Sequence, residues 1–267
     1  MTRKINYIFL AAGKSQRFKD VGEFTPKQLI SVEGLPLILW AILNFDYEKN
    51  DEIFIICQSK DNIKTSLQKY INKLSLNFSF IELEHHTQGP ADTVRFALDK
   101  VNFQEPIIIV NTDQYIFSPL KNFIKDVRAQ KYDGLIPTMK ASGNQWSYVK
   151  STSQGIATEV AEKVQISDDA TVGIYSYARA SDLQFAISNM IKDKNLVKNE
   201  YYMAPTYNYL IANSKIISSI NIGVYGKEMH STGTPTELSN FMKDKRTKKE
   251  ATKIKSKLKM LRLPNKH

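Results

Sequence analysis

Four short, largely apolar runs in the first half of the chain, separated by stretches with helical spacing, constrain the fold more than any other feature. The runs, residues 7–12, 52–58, 78–84 and 106–113, are expected to be strands. A strand with one wet face alternates apolar and polar residues, whereas a strand covered on both faces reads as a continuous apolar run. Residues 36–47, 61–73 and 90–101 between them are expected helices; in the last, Val94, Ala97, Leu98 and Val101 recur at three- and four-residue steps. Leu120, Phe123, Ile124 and Val127 give another helix. Buried strands alternating with helices predict a parallel sheet with right-handed crossovers and helices on both faces. Ligands bind such sheets outside the carboxyl ends of the strands. Gly13, residues 85–92 and Asp113 fall at those ends.

The second half reads differently. Residues 134–139, 146–151, 156–162 and 171–178 are expected strands with Gly and Ser punctuation, followed by helices over 181–194 and 204–212 and a strand over 220–225. With no internal repeat and no long low-complexity linker, 267 residues read as one α/β domain over 1–242, its halves meeting near residue 133, then a tail over 243–267.

Charge excludes one class of function. The net charge is +10, yet eleven Lys and Arg against two acids lie in 243–267, so the body is almost neutral. A whole-surface case for nucleic-acid binding fails. In the tail Ala251, Ile254, Leu258 and Leu261 keep helical steps, which predicts a solvated helix with one face docked on the body; basic helices of this kind also lie on anionic membranes. The lone Cys57 sits in an apolar run and permits no disulfide within the chain. No leader pattern and no membrane-length apolar stretch is present, so a cytoplasmic protein is expected.

The chemistry-bearing segments follow the strands. Leu10-Ala11-Ala12-Gly13-Lys14 lets the backbone approach a ligand and aim main-chain N–H groups at phosphate oxygens, with Arg17 and Lys27 adding positive charge. A nucleoside triphosphate suits that combination, although neither the P-loop ending nor the three glycines of a dinucleotide fingerprint are there. Gly89, before Pro90 at a helix start, permits close approach of a flat base, with Gln88 beside it. Asp113 ends a buried strand, where a carboxylate caps the next segment or holds a metal. Glu162-Lys163 by itself is an ordinary surface pair. The pair His85-His86 lacks zinc-site spacing and reads as loop or ligand lining, and polar and aromatic residues gather at 199–202 and Asn208.

In order along residues 5–242, Leu10–Arg17 with Pro26-Lys27, Gln88–Thr93, Asn111-Thr112-Asp113-Gln114, Glu162-Lys163 and Met229–Leu238 resemble the motifs of sugar-phosphate nucleotidylyltransferases. The resemblance implies a Rossmann-like, mixed and mostly parallel central sheet flanked by helices (a GT-A-like fold), with a smaller β insertion that binds the acceptor. It implies a nucleotide-binding half over 1–133, an acceptor-binding half over 134–242, and a Mg²⁺-dependent transfer from a nucleoside triphosphate to a sugar 1-phosphate, releasing pyrophosphate. Nucleotide-sugars of this kind feed polysaccharide and glycoconjugate synthesis. By the same resemblance Arg17 and Lys27 face the reacting phosphates, Leu10 to Lys14 with Gln88 and Gly89 hold the nucleotide, and Asp113 holds Mg²⁺. Glu162, Lys163, Gly173 and Tyr148 line the acceptor side, with Trp146 near the sugar ring; Asn208 is placed there by the polar and aromatic cluster alone, which an ordinary helix entry explains nearly as well. The partners implied are the triphosphate and a phosphorylated small molecule, with no nucleic acid, no integral membrane segment, and room for a homo-oligomer.

Two positions depart from the family pattern. Ser15 stands where a second glycine is usual, and Ser231 where the closing motif has its metal-binding aspartate. With serine at the latter, three outcomes stand open: water and phosphate oxygens complete the metal shell, Glu228 reaches in, or the metal site is weaker or single. Two alternatives follow: a cytidylyltransferase for a small ester such as choline phosphate, caged by Trp146 and Tyr148, or a nucleotide-sugar binding domain without turnover. A glycosyltransferase is the weaker rival, since its Asp-x-Asp motif is missing after Val110.

Overall fold

The structure, a computed structural model, describes residues 3–260. The first half runs β1 (Asn6–Ala11), α1 (Gln16–Lys19), β2 (Ser31–Val32), β3 (Leu35–Pro36), α2 (Leu37–Ile42), β4 (Glu52–Gln58), α3 (Ile63–Ile71), β5 (Asn77–Leu83), α4 (Pro90–Leu98), β6 (Ile107–Asn111), β7 (Gln114–Ile116) and α5 (Lys121–Arg128). The second half adds β8 (Gly134–Lys140), β9 (Ser147–Ser151), β10 (Ala157–Glu162), β11 (Asp169–Thr171), β12 (Ile174–Tyr177), α6 (Ala180–Lys192), α7 (Thr206–Ala212), β13 (Ile217–Val224), β14 (Met229–Ser231), α8 (Pro235–Lys243) and α9 (Lys245–Met260).

One mixed ten-stranded sheet, ordered β10-β9-β11-β8-β12-β6-β1-β4-β5 with β13 beside β8, forms the centre. The strands β6, β1, β4 and β5 are mutually parallel. β12 joins them antiparallel to β6, so the second-half strands wall the cleft while extending the same sheet. The apolar runs are continuous because each face packs its own core. Along β1, Tyr7, Phe9 and Ala11 enter one cluster, while Ile8 enters the other. Along β6, Ile108 and Val110 face the first cluster, Ile107 and Ile109 the second.

Three sequence expectations change in detail. The expected strand over 171–178 is two strands, split at Val172-Gly173, because Gly173 takes φ +71°; both pieces pair with β8, but the second partner is β9 for β11 and β6 for β12. The helix expected over 36–47 ends at Ile42. There the Asn44 side chain leaves to bond the Ile116 backbone at 2.8 and 3.1 Å, and the Tyr47 hydroxyl donates to Ile42 O at 2.6 Å. The short ladder of β7 with β14, unexpected from sequence, pairs Gln114 with Ser231.

That ladder is braced from behind. Trp40 is fully buried, with Tyr115 and Phe241 edge-on at 5.2 and 5.1 Å. Truncating it to alanine would cost about 3–5 kcal/mol. On the same side Ala251, Ile254 and Leu258 of α9 are buried in the core, and the Thr247 hydroxyl donates to Phe241 O at 2.6 Å. Leu261 lies outside the described residues.

Candidate active site

The carboxyl ends of β1 and β6 open into a cleft of about 870 Å³, closed opposite by residues of β10, the Val172-Gly173 break and the 198–203 segment. A second cavity of about 710 Å³ lies at the amino ends, among Arg3, Asn44, Glu48 and Arg128. There the arginine is already committed to the buried Asp51 at 2.5 Å. The first cleft has charges to spare and is where the sequence motifs meet.

Its floor is the loop after β1. The N–H groups of Gly13, Lys14 and Ser15 donate to no acceptor among the described residues, and Lys14 and Arg17 form no ion pair there. Ser15 adopts φ +54°, the left-handed conformation a glycine takes freely and serine takes at about 1–2 kcal/mol. Its hydroxyl accepts from Lys27 N at 3.4 Å, which ties the loop to Pro26-Lys27. The serine thus takes a backbone shape open to glycine and adds a tether. Lys27 Nζ reaches Asp113 Oδ2 at 3.1 Å, and Asp113 O accepts from Thr232 N at 2.7 Å, which fastens the closing segment to the strand end.

The loop before α4 lies against the far wall. Gly89 has φ +117°, and a Cβ there would be 2.7 Å from the Tyr201 backbone, so only glycine fits. Tyr201 N donates to Gln88 O, and Ala91 N to Tyr201 O. His86 lines the cleft; desolvation, then the Lys60 and Lys14 charges, lower its imidazole below the ordinary value.

On that wall Glu162 is buried and accepts from the Ser147 hydroxyl; desolvation raises its carboxyl above the usual range, opposed by Ser147 and Lys163. Lys163 sits at φ +60°, donates to the Tyr202 hydroxyl, and has its ammonium 3.8 Å from the Tyr202 ring centroid. Desolvation lowers its ammonium below the ordinary lysine value, with Glu162 opposing.

The cleft gathers Leu10, Ala12, Gly13, Lys14, Arg17, Lys27, Gly89, Asp113, Glu162, Lys163 and Gly173. Four expected residues do not present side chains to it. Ala11 points into the core. Gln88 is exposed, its backbone N–H bonded to Asp92 at 2.9 Å. Tyr148 is fully buried and donates to Gly143 O at 2.6 Å, so it packs the core instead of facing a sugar. Asn208 bonds both backbone groups of Val160 at 2.9 and 2.7 Å, which fixes α7 to β10. Glu228 is also elsewhere: its carboxylate accepts from Val224 N at 2.8 Å. Sequence reasoning passed over Gln28 and Glu237, both of which line the cleft. For Glu237 a signal existed: it stands three residues after Thr234 at a helix start, a position where acidic residues recur.

The donor set suits a hard cation. Asp113, Ser231 and Glu237 offer oxygen, and Gln28, 2% exposed, has an Oε1 without a hydrogen-bond partner. No group of three or more His, Cys, Asp or Glu side chains converges among the described residues, so an ion there would complete its shell with water and substrate oxygens, as Mg²⁺ commonly does.

A mixed sheet whose parallel block ends in a cation-rich loop, facing a wall built by antiparallel extension, is the nucleotidyltransferase fold. The family model for nucleotidyl transferase matches residues 6–210, and the chain belongs to that family of enzymes. The nucleoside-diphosphate-sugar pyrophosphorylase from Vibrio cholerae RC9 is 25% identical, with TM-score 0.78 over 89% of this chain and 100% of that one. The inositol-1-phosphate CTP transferase from T. maritima, 14% identical, shares the fold with TM-score 0.70 over 94% of this chain and 96% of that one. The bifunctional protein GlmU of Aliarcobacter butzleri (strain RM4018) is 22% identical over 227 residues, 81% of this chain and 48% of the relative. The chain spans about half the length of the curated relatives it matches. Among the described residues no helix is long and apolar enough to cross a membrane.

Proposed function

We propose that the chain transfers a nucleotidyl group from a nucleoside triphosphate to a sugar 1-phosphate, giving a nucleotide-sugar for glycoconjugate or polysaccharide assembly. The observation that carries this reading is the opposition of two anion sites across one cleft. Lys14 and Arg17, without ion pairs among the described residues, and N–H groups without acceptors there lie on one side, and Lys163 on the other. The acceptor phosphate is already a nucleophile, so no general base is needed. One of its oxygens forms a bond to the α-phosphorus as the bond to pyrophosphate breaks. Catalysis then consists of alignment and of offsetting repulsion between anions. Arg17 would take the β- and γ-phosphates, and its planar fork can engage two oxygens at once. Lys27 would turn from Asp113 to the reacting phosphates, and Lys163 would hold the acceptor phosphate. Asp113 would hold Mg²⁺, which when bound neutralises phosphate charge.

The burial of Tyr148 removes half of the aromatic cage that a choline-like head group would need, which favours a sugar acceptor. A matrix of four nucleoside triphosphates against sugar 1-phosphates and aminoalkyl phosphates, read by pyrophosphate release, tests the reading. Turnover with a sugar 1-phosphate is expected. Turnover with aminoalkyl phosphates alone, or none with any pair, would overturn it.

A further inference from the structure

Ser231 offers a cation only a neutral hydroxyl, so Asp113 would be the sole carboxylate contributed by the motifs read from sequence. The turn after Ser231 supplies another. A Cβ at Gly233 would lie 3.3 Å from Asp113 Oδ2, 3.5 Å from Glu237 Oε2 and 3.5 Å from Ser231 Oγ. Three oxygens from separate stretches of chain therefore surround one small space, with the two carboxylate oxygens at most about 7 Å apart. The backbone of Gly233 is not in the left-handed region, so the glycine is not required by conformation. What it provides is the absence of a side chain where the oxygens meet.

Charge points the same way. Lys27 neutralises Asp113, whereas Glu237 has no ion pair among the described residues and only the Tyr225 hydroxyl at 3.4 Å. As the third residue of α8, Glu237 donates its N–H to Thr234 Oγ1 at 3.2 Å, one half of a capping box. In the other half the carboxylate would return to the Thr234 N–H. Here it turns instead toward Tyr225 and the cleft. Gln28, 2% exposed, also lines the cleft and has an Oε1 without a hydrogen-bond partner among the described residues.

We propose that Glu237 is the second carboxylate of a divalent-cation site shared with Asp113, in place of the acidic residue the family pattern has at Ser231. The inference rests on the nucleotidyl-transfer reading of the cleft. A glutamate six residues further on, in the first turn of α8 and with one more methylene than aspartate, reaches the space that Gly233 leaves open.

The test is Mn²⁺ titrated into the full chain, with free ion read by electron paramagnetic resonance and thermal melts confirming that each variant folds. The wild type should take up one ion. Glu237→Gln, which keeps shape and helix start, should weaken uptake at least tenfold, and Gly233→Ala several-fold. Adding Ser231→Asp to Glu237→Gln should restore affinity to within about threefold. Unchanged affinity in Glu237→Gln, with uptake abolished by Asp113→Asn, would overturn the proposal and leave Glu237 a helix-start residue. No uptake by the wild type would also overturn it. Glu237-dependent uptake without pyrophosphate release from any substrate pair would sustain the cation site and sink the transfer reading, so the two failures are separable.

Discussion

The two walls of the cleft hold their cations in opposite ways. On the first-half wall Lys14 and Arg17 stand exposed and, among the described residues, without ion pairs, beside main-chain N–H groups that find no acceptor there. On the second-half wall Lys163 is four-fifths buried, leans on Tyr202 and neighbours the buried Glu162. Water already solvates the first set, so under the proposed function a polyanion there would displace ions and water. Lys163 has lost much of its hydration and taken a protein substitute, so an acceptor phosphate would have to exchange with Tyr202. Under the proposed function, nucleotide capture is governed by charge and acceptor capture by replacement of an existing contact.

The contrast breaks most readily at the cations of the first wall. Arg17→Ala and Lys27→Ala should each lower kcat/KM for pyrophosphate release by about 10²–10³-fold, the scale of removing one preorganised group from a charge-stabilising site. A loss below fivefold at Arg17 would end the argument for that wall. Lys27→Ala should at the same time tighten Mn²⁺ uptake, because the ammonium competes for Asp113 Oδ2.

The seam between the walls comes next. Gly89→Ala places a Cβ against the Tyr201 backbone at φ +117°, and strain plus overpacking should cost about 2–4 kcal/mol in urea denaturation. A loss within error would mean that the base-side loop is free of the far wall.

On the second wall Tyr202→Phe keeps the ring over Lys163 but removes the hydroxyl that holds its ammonium. The acceptor KM should fall about threefold, with the nucleotide KM unchanged; a rise would mark the hydroxyl as a contact for the acceptor itself.

The smallest effect is on pH dependence. Desolvation lowers Lys163, so its charge is lost at lower pH than an ordinary lysine's. Raising pH should therefore increase the acceptor KM before the usual lysine range is reached, while the nucleotide KM stays flat. The sign for stability is opposite: a lysine lowered by folding binds its proton less tightly in the native state, so its contribution improves as pH rises. Parallel alkaline rises in both KM values would show that the walls do not differ.

What could be read from the chain alone is uneven for a physical reason. The strands β1, β4 and β6 were legible because burial on both faces writes itself as a nearly continuous apolar run, as in Ile107–Val110, whereas the edge strand β5 is half exposed and carries Ser79 and Glu82 within its run. The loop at Gly13 and the carboxylate of Asp113 were legible because they follow those runs directly. Tyr148 was not, since β9 lies inside the sheet between β10 and β11 and is covered on both faces, so alternation no longer separates cleft from core. Asn208 looked like a ligand contact because its use, bonding both backbone groups of Val160, appears only when α7 packs on β10.

The amino-acid order by itself determined the parallel block, the small-residue loop after β1 and the acid that follows β6, all of them consequences of local pattern. Only the tertiary structure decided the oxygen cluster at Gly233. It depends on pairing β7 with β14, segments more than a hundred residues apart, and no local preference records which distant three-residue strand will bring Glu237 to Asp113.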